Sequence, residues 1–418
     1  MKIALVTYDF YPNKGGISYT LTNLCKFLNS SMNKTIYVFN NTYQGKNSFK
    51  VLTEKEYNLK FIFSNLVKKK FLYFSLLIFW RIIKDKKIPL SHKIKMLLYL
   101  VLRPYQSIWV IQNIKRLYPH LKRLNCFLFI AGTSRWTLLL AFFLSKIFKK
   151  KTVVFAHGSD FLKENTLKLK SFYLRNVDKI LIHTDQIKRL IKNIHGVKEE
   201  QLVKVRPGLD VDKLKVQKSK IELRKEYRIP ENQFILISVG HHNPRKKFDL
   251  VIRAVSEIKR IRPSINLKYF ILGEGKETPK LKQLSKSLKI EDLVEFVGEC
   301  SDEIRNKYYK LSDLFLMPSI TKKNNIEGFG VVYLEANYFK LPVISTGMGG
   351  VSEAVIDGKT GLFTKPNSVK DIADKVLYLY NNKEKQKELG EFGFNRVHSS
   401  FKWDIVIKDY IEVFKDLL

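Results

Sequence analysis

Acidic residues are scarce in this chain of 418 residues: 39 Asp and Glu stand against 75 Lys and Arg, a formal net charge of +36. Such a field draws anionic partners, whether nucleic acid, anionic lipid headgroups or phosphorylated substrates. A lysine-rich and asparagine-rich composition contributes to it, so charge alone does not choose among them. Cysteine is nearly missing. Cys25, Cys126 and Cys300 are odd in number, far apart and without metal-ligand spacing, which argues against a disulfide framework and for a reducing compartment. Long apolar runs are missing too. None reaches the ~20 residues that a spanning helix needs. The run at Met1–Thr7 stops at Asp9, too short for a signal peptide. The expectation is a cytoplasmic protein whose membrane contact is peripheral.

What is present reads as folded protein, with 45% apolar and 27% charged residues. The length calls for two or three domains. Ile3 to Thr7 is a short apolar run that ends in Tyr8-Asp-Phe-Tyr-Pro-Asn-Lys-Gly15-Gly16, and a helical pattern follows from Ile17 to Leu28. Strand, glycine loop and helix in that order open a parallel α/β sheet. Further strands are expected at Thr35–Phe39, Phe127–Ala131, Thr152–Ala156 and Lys179–His183. A second series begins at Phe234–Gly240 and continues with strands at Leu267–Leu272, Val294–Val297, Leu314–Met317 and Pro342–Ser345, with helices between them. The fold class is therefore α/β, with two doubly wound, Rossmann-like domains. The expected domains are residues 1–206 and 207–399, joined around Arg206–Lys220, with a helix over 400–418 packing back on the first. Ligands of such sheets bind at the carboxyl ends of the strands, and two such edges facing one another would form a cleft.

Residues 61–123 break the alternation. They hold fourteen basic residues against Asp85 alone, and the apolar run Phe71–Ile83 has lysines at its borders. Taken alone, that run reads as a buried helix with solvated lysines at its ends. The sustained charge of one sign across the region favours an anionic membrane surface as a partner.

The densest chemistry lies in Glu327-Gly-Phe-Gly-Val-Val-Tyr-Leu-Glu335, followed by Thr346-Gly-Met-Gly-Gly-Val-Ser-Glu353. Glycines let the backbone approach a ligand, and a helix starting just after them aims its positive end at an anion such as phosphate. Carboxylates accept hydrogen bonds from sugar or ribose hydroxyls. Phosphate at the backbone and hydroxyls at the acids together describe a nucleotide-sugar. The plain structural alternatives are a helix-capping acid for Glu327 and a solvated helix acid for Glu335.

The second half resembles the retaining, nucleotide-sugar-dependent glycosyltransferases of family 4, the glycosyl transferases group 1, which have the two-domain GT-B fold. The likeness runs in order through Arg206-Pro-Gly-Leu-Asp210, Ser238-Val-Gly240 with Pro244-Arg-Lys246, and Gly273-Glu-Gly275. It continues through Val297-Gly298, Ser312-Asp313, Met317-Pro-Ser319, the two acids eight apart and Asp357-Gly-Lys-Thr-Gly-Leu362. The first half matches more loosely, at Gly15-Gly16 and Ala156-His-Gly-Ser-Asp160.

The resemblance implies that Glu335 bonds the ribose hydroxyls and that Glu327 meets the donor sugar. Gly328, Phe329, Gly330 and Val331 then line the sugar and phosphate. Lys246 with Arg245 resembles the basic pair that neutralises the leaving diphosphate. Gly15 and Gly16 resemble the loop over the phosphates, and His157 a contact of the donor sugar, with Asp160 a weaker match. Two departures stand out. His241 occupies the place where relatives carry arginine, and Lys247 the place of a glycine. The resemblance further implies α-retention by same-face attack, the leaving group taking the acceptor's proton, with no metal. Asp210-Val-Asp212 has metal-motif spelling but sits in the joining segment, as turn or capping chemistry.

The implied activity is transfer of a sugar from a UDP- or GDP-sugar to a glycan or lipid-linked acceptor, in bacterial cell-surface polysaccharide synthesis. A non-catalytic partner or sugar-binding subunit of the same fold is the alternative that His241 motivates. A nucleic-acid-binding protein has no recognisable module here and leaves the two acids unexplained.

Overall fold

The computed structural model describes residues 2–7, 16–32, 35–40, 60–61, 104–133, 136–162, 167–321 and 325–417. The chain divides into two compact units, Met1–Val205 with Ile407–Leu418, and Arg206–Val406.

The first unit holds strands β1 (Lys2–Thr7), β2 (Thr35–Asn40), β3 (Lys60–Phe61), β4 (Leu128–Ala131), β5 (Lys151–Ala156), β6 (Lys179–Ile182) and β7 (Leu202–Lys204). Their order in the sheet is β3-β2-β1-β4-β5-β6-β7, and every pairing is parallel. A parallel strand covered on both faces must be apolar throughout, and β1 and β4 obey: Ile3, Ala4, Leu5 and Val6 are buried, as are Leu128, Phe129, Ile130 and Ala131. Ile3 pairs with Ile36 on one side and Leu128 on the other.

The second unit holds β8 (Phe234–Val239), β9 (Leu267–Leu272), β10 (Val294–Gly298), β11 (Leu314–Leu316), β12 (Val343–Ser345) and β13 (Gly361–Phe363), in the order β10-β9-β8-β11-β12-β13, again all parallel. In each sheet the winding reverses beside the unit's first strand, between β1 and β4 and between β8 and β11. A doubly wound sheet opens its crevice at such a switch, at the carboxyl ends of the strands.

The expected strands recur to within one or two residues, but β3, β7 and β13 are additional. Arg206–Lys220, read as a joining stretch, is built into the second unit. Its Arg206 Nη1 donates to Ser400 O at 3.2 Å, Leu209 N to Phe401 O at 2.6 Å, and Trp403 N to Leu209 O at 3.2 Å. Gly208 is required by this approach, since a Cβ there would lie 2.4 Å from the Trp403 ring. The helix Trp403–Lys415 carries the chain into the first unit, where Tyr410 is buried and stacks on Phe155 at 6.1 Å.

Within the basic aromatic region, Pro104–Leu124 is a helix, while the apolar run at Phe71–Ile83 lies outside the described residues. No helix among the described residues is long and apolar enough to cross a membrane.

Candidate functional site

The carboxyl ends of β8 to β10 are drawn together by glycines. Gly240 N donates to Leu272 O at 3.0 Å and Gly273 N to Gly298 O at 2.8 Å. A Cβ on Gly273, whose φ is +102°, would stand 2.4 Å from Gly240 O. Just beyond Gly240 the chain makes a tight turn around Asn243. Its Oδ1 accepts from Arg245 N at 3.2 Å and its carbonyl from Lys246 N at 3.1 Å. Arg245 O then accepts from Ile320 N at 2.9 Å, fastening this turn to the chain leaving β11.

The result is a buried charge cluster. Arg245 Nη1 and Lys246 Nζ both donate to Glu327 Oε2, the lysine at 2.6 Å. Side-chain exposure is 13% for Arg245, 11% for Lys246 and 11% for Glu327. Burial pushes the Glu327 carboxyl up, but Lys246 and Arg245 outweigh it and hold the group at about 2. Glu327 is thus an anion at any ordinary pH. Burial likewise pulls Lys246 down, against the attraction of Glu327. Two cations sharing one carboxylate leave the cluster with an excess positive charge.

Glu327 is no helix cap. The helix Val331–Tyr338 starts from Gly330, at φ 89° and ψ 71°, without a side-chain cap. Only glycine fits there, because a Cβ would lie 2.4 Å from the buried Tyr333 ring. Tyr333 in turn donates to Met317 O at 3.0 Å. A second glycine loop closes from the other side, where Gly350 N donates to Glu327 O at 2.9 Å. Gly328 is buried beside it, and Val331 is half-buried. Phe329 turns its side chain into the core against Phe401, with ring centroids 5.9 Å apart. Phe329 therefore offers this site its backbone alone.

Glu335 is no solvated helix acid. It is buried, with Oε2 accepting from Tyr309 Oη at 3.0 Å and Oε1 3.9 Å from Arg305 Nη2. Burial, then Glu335 itself, pushes the Tyr309 phenol well above its usual range, so it remains a donor. The helix Asp302–Leu311 presents both partners, since Arg305 and Tyr309 stand four apart on one face. Asn243, Arg305 and Tyr309 were not singled out from sequence. The four-residue spacing was the only local signal, and it ends at an acid 26 positions beyond Tyr309.

His241 is exposed, while the following His242 is buried, with Nδ1 2.8 Å from Thr278 Oγ1, and burial pulls it down to about 4. Lys247 explains its own oddity: it caps the helix Phe248–Ile261 at φ 59° and ψ 37°, the left-handed region in which glycine is at ease. Asp210 precedes the short turn Val211–Leu214, and Asp212 pairs with Lys215 at 2.8 Å. Among the described residues no group of three or more His, Cys, Asp and Glu side chains is placed to hold a metal.

The remaining candidates belong to the first unit. Gly16 begins the helix Gly16–Met32, and Gly15 lies outside the described residues. His157 follows β5, stacks on Phe155 at 5.4 Å and puts Nε2 2.9 Å from Gly132 O, at the end of β4. Asp160 Oδ1 accepts from Gly158 N at 3.0 Å, a local turn contact. The second unit thus gathers Arg245, Lys246 and Glu327 in one cluster and fixes Glu335 separately against Tyr309, while His157 and Gly16 lie in the first unit.

The family described as Glycosyl transferases group 1 matches residues 219–396, which include Arg245, Lys246, Glu327 and Glu335. An uncharacterized glycosyltransferase of Methanocaldococcus jannaschii is 30% identical over 266 residues, covering 62% of this chain and 67% of that protein. A GDP-mannose-dependent alpha-(1-6)-phosphatidylinositol monomannoside mannosyltransferase of Mycobacterium tuberculosis is 31% identical over 201 residues, 47% of this chain. The chain spans only 51% of that relative's length. Among solved structures, the Anabaena protein HepE in complex with UDP and glucose is similar over all of both chains, with a TM-score of 0.73 at 18% identity. The chain belongs to the group 1 glycosyltransferases and has their two-domain GT-B fold.

Proposed function

We propose that this chain is a retaining glycosyltransferase that takes a sugar from a UDP- or GDP-sugar and attaches it to a glycan or lipid-linked acceptor. The observation that carries the reading is the buried cluster of Arg245, Lys246 and Glu327 at the β8–β11 switch point. Excess positive charge in a site largely closed to water suits a diphosphate, and fixed charge of that kind stabilises a leaving group far better than water does. Arg245 grips through its fork and Lys246 acts as a point charge. Glu335, fixed by Tyr309, takes the ribose hydroxyls. Glu327 and the backbone of Gly328 to Gly330 take the sugar, and His157 contributes a sugar contact from the first unit.

In the reaction the bond from the anomeric carbon to the diphosphate breaks as a bond to the acceptor oxygen forms on the same face. The acceptor's proton passes to a phosphate oxygen of the departing nucleoside diphosphate. Arg245 and Lys246 supply the positive charge, so no metal is needed, and chelation with EDTA should leave the rate unchanged. The donor class is supported by the GDP-mannose in the name of the mycobacterial relative and the UDP and glucose held by the Anabaena protein. A membrane-linked acceptor, reached from the cytoplasmic face during bacterial surface-polysaccharide synthesis, is supported by the charge of residues 61–123.

The test is release of nucleoside diphosphate across a panel of UDP- and GDP-sugars, with and without lipid-extracted acceptors. Turnover with one donor class is expected. Binding without release from any donor would instead favour a non-catalytic sugar-binding subunit. Membrane docking is tested separately, by sedimentation with anionic vesicles and release at high salt.

A further inference from the structure

We infer that Glu327 is the built-in counter-ion of the diphosphate site, and that donor binding is an exchange in which the diphosphate displaces its carboxylate from Arg245 and Lys246. The inference rests on the proposal that these two cations receive the diphosphate. It adds that they are already occupied in the free protein, by a competitor on the same chain.

The geometry is specific. Both cations converge on a single oxygen, Glu327 Oε2, and no other hydrogen-bond partner of that carboxylate is found among the described residues. Arg245 also carries a spare donor: its Nε is buried and has no hydrogen-bond partner among the described residues. The backbone of the turn is fixed independently of this cluster, by Asn243 and Ile320. The side chains can therefore change partner while the backbone stays in place.

The physical need for a counter-ion is strong. Two cations with side chains this little exposed are costly to leave without an anion, because removing one partner of such a pair leaves an uncompensated charge. A single carboxylate balances only half of their charge. A diphosphate carries more negative charge and more acceptor oxygens, so it wins the exchange and draws on the spare Arg245 donor. The displaced Glu327 loses the two cations that hold its carboxyl down, yet it keeps an acceptor oxygen in either protonation state. It is then free to accept from a hydroxyl, where the proposed function needs it. Occupancy of the cations thus decides when the acid becomes available to the sugar.

The test uses inorganic pyrophosphate, which has no sugar and no ribose and so isolates the exchange. Its affinity is measured by calorimetry for the full-length protein and for Glu327→Gln and Glu327→Asp. Removing the competitor is expected to tighten pyrophosphate binding at least fivefold in Glu327→Gln, while Glu327→Asp, which keeps the charge, remains close to the parent. Equal or weaker binding by Glu327→Gln, with the parent still binding pyrophosphate, overturns the exchange and leaves the cation assignment standing. Failure of parent and variant alike to bind pyrophosphate, UDP or GDP overturns both. Should Glu327→Gln not fold, a crystal structure of the parent with pyrophosphate decides. The expected result is Glu327 beyond ion-pair distance of Lys246, and a retained contact overturns the exchange.

Discussion

The two units wind their sheets alike, with the reversal beside the first strand, yet they fill the crevice there with different chemistry. At the end of β1 and β4 the first unit places Thr7, Gly132, Thr133 and Thr137. Gly132 N donates to Val6 O at 2.9 Å, the Thr133 and Thr137 hydroxyls lie 3.1 Å apart, and His157 reaches the Gly132 carbonyl. A Cβ on Gly132 would stand 2.7 Å from Leu21. Among the described residues, hydroxyls and backbone line this crevice. The second unit places two cations and an anion at the equivalent point, each with a mostly buried side chain. Topology supplies the crevice in both, and the side chains alone decide which one attracts a multiply charged anion.

The contrast can be broken most sharply by removing one cation. Lys246→Ala is expected to lower sugar transfer by about 10² to 10³-fold, mainly in kcat, the scale of losing one stabilising donor in a closed site. Thr137→Ala, in the first unit, removes a hydrogen bond of about 1 kcal/mol and should change transfer by less than about tenfold. Comparable losses in steady-state kinetics would mean that the two crevices share the work. Next in size is a pair of glycines. Gly330→Ala meets both a φ of +89° and the Tyr333 ring, and should cost at least ~2 kcal/mol in urea unfolding. Gly16→Ala meets nothing within 4 Å and should stay within about 0.5 kcal/mol.

Acid should separate the units in a different way. Burial pulls His183 and His195 of the first unit down from 6.5 to about 4. Both are more acidic folded than unfolded, so stability is full above pH 6.5 and falls between 6.5 and 4 as the unfolded chain takes up protons. His242 adds one such group to the second unit. Glu327 acts lower, because its folded value of about 2 lies below its ordinary 4.5, so its contribution is lost only between those limits. Hydrogen exchange followed from pH 7 to 4 should therefore show the first unit loosening earlier. Simultaneous loosening would contradict this. Smaller still, Tyr309→Phe should weaken nucleotide binding roughly three- to tenfold with little change in kcat, the worth of about one hydrogen bond. Least of all, Lys247→Gly should stabilise the protein by about 0.5–1 kcal/mol by relieving a left-handed lysine, visible as a small rise in Tm.

Much of this was legible in the chain. Short, mostly apolar runs such as Phe234–Val239 and Leu267–Leu272 announce strands because both faces are covered. The three-residue strands Leu202–Lys204 and Gly361–Phe363 do not, since so short a segment is fixed by the neighbour it pairs with. Arg245, Lys246, Glu327 and Glu335 were all recognisable from motif order. What the order could not reveal is their partnership: the cations were assigned to phosphate and the acid to sugar, while in the free protein they hold one another across some eighty residues. Tyr309 was hidden for the same reason, as its meaning comes from Glu335 on another helix. Lys247, conspicuous only as a departure, became intelligible once its φ was known.

The paired crossings at Leu209 and Trp403 also set an order of events during synthesis. The first unit's core includes Tyr410 and Phe414, made only after the entire second unit has been translated. The second unit, contiguous from Arg206 to Val406, has all its strands in hand by then and can fold as a block. Until the helix Trp403–Lys415 arrives, Phe155 has His157 but lacks Tyr410 as a stacking partner, and the first sheet waits with part of its apolar face uncovered. The half of the chain that is translated first is thus the half that is completed last.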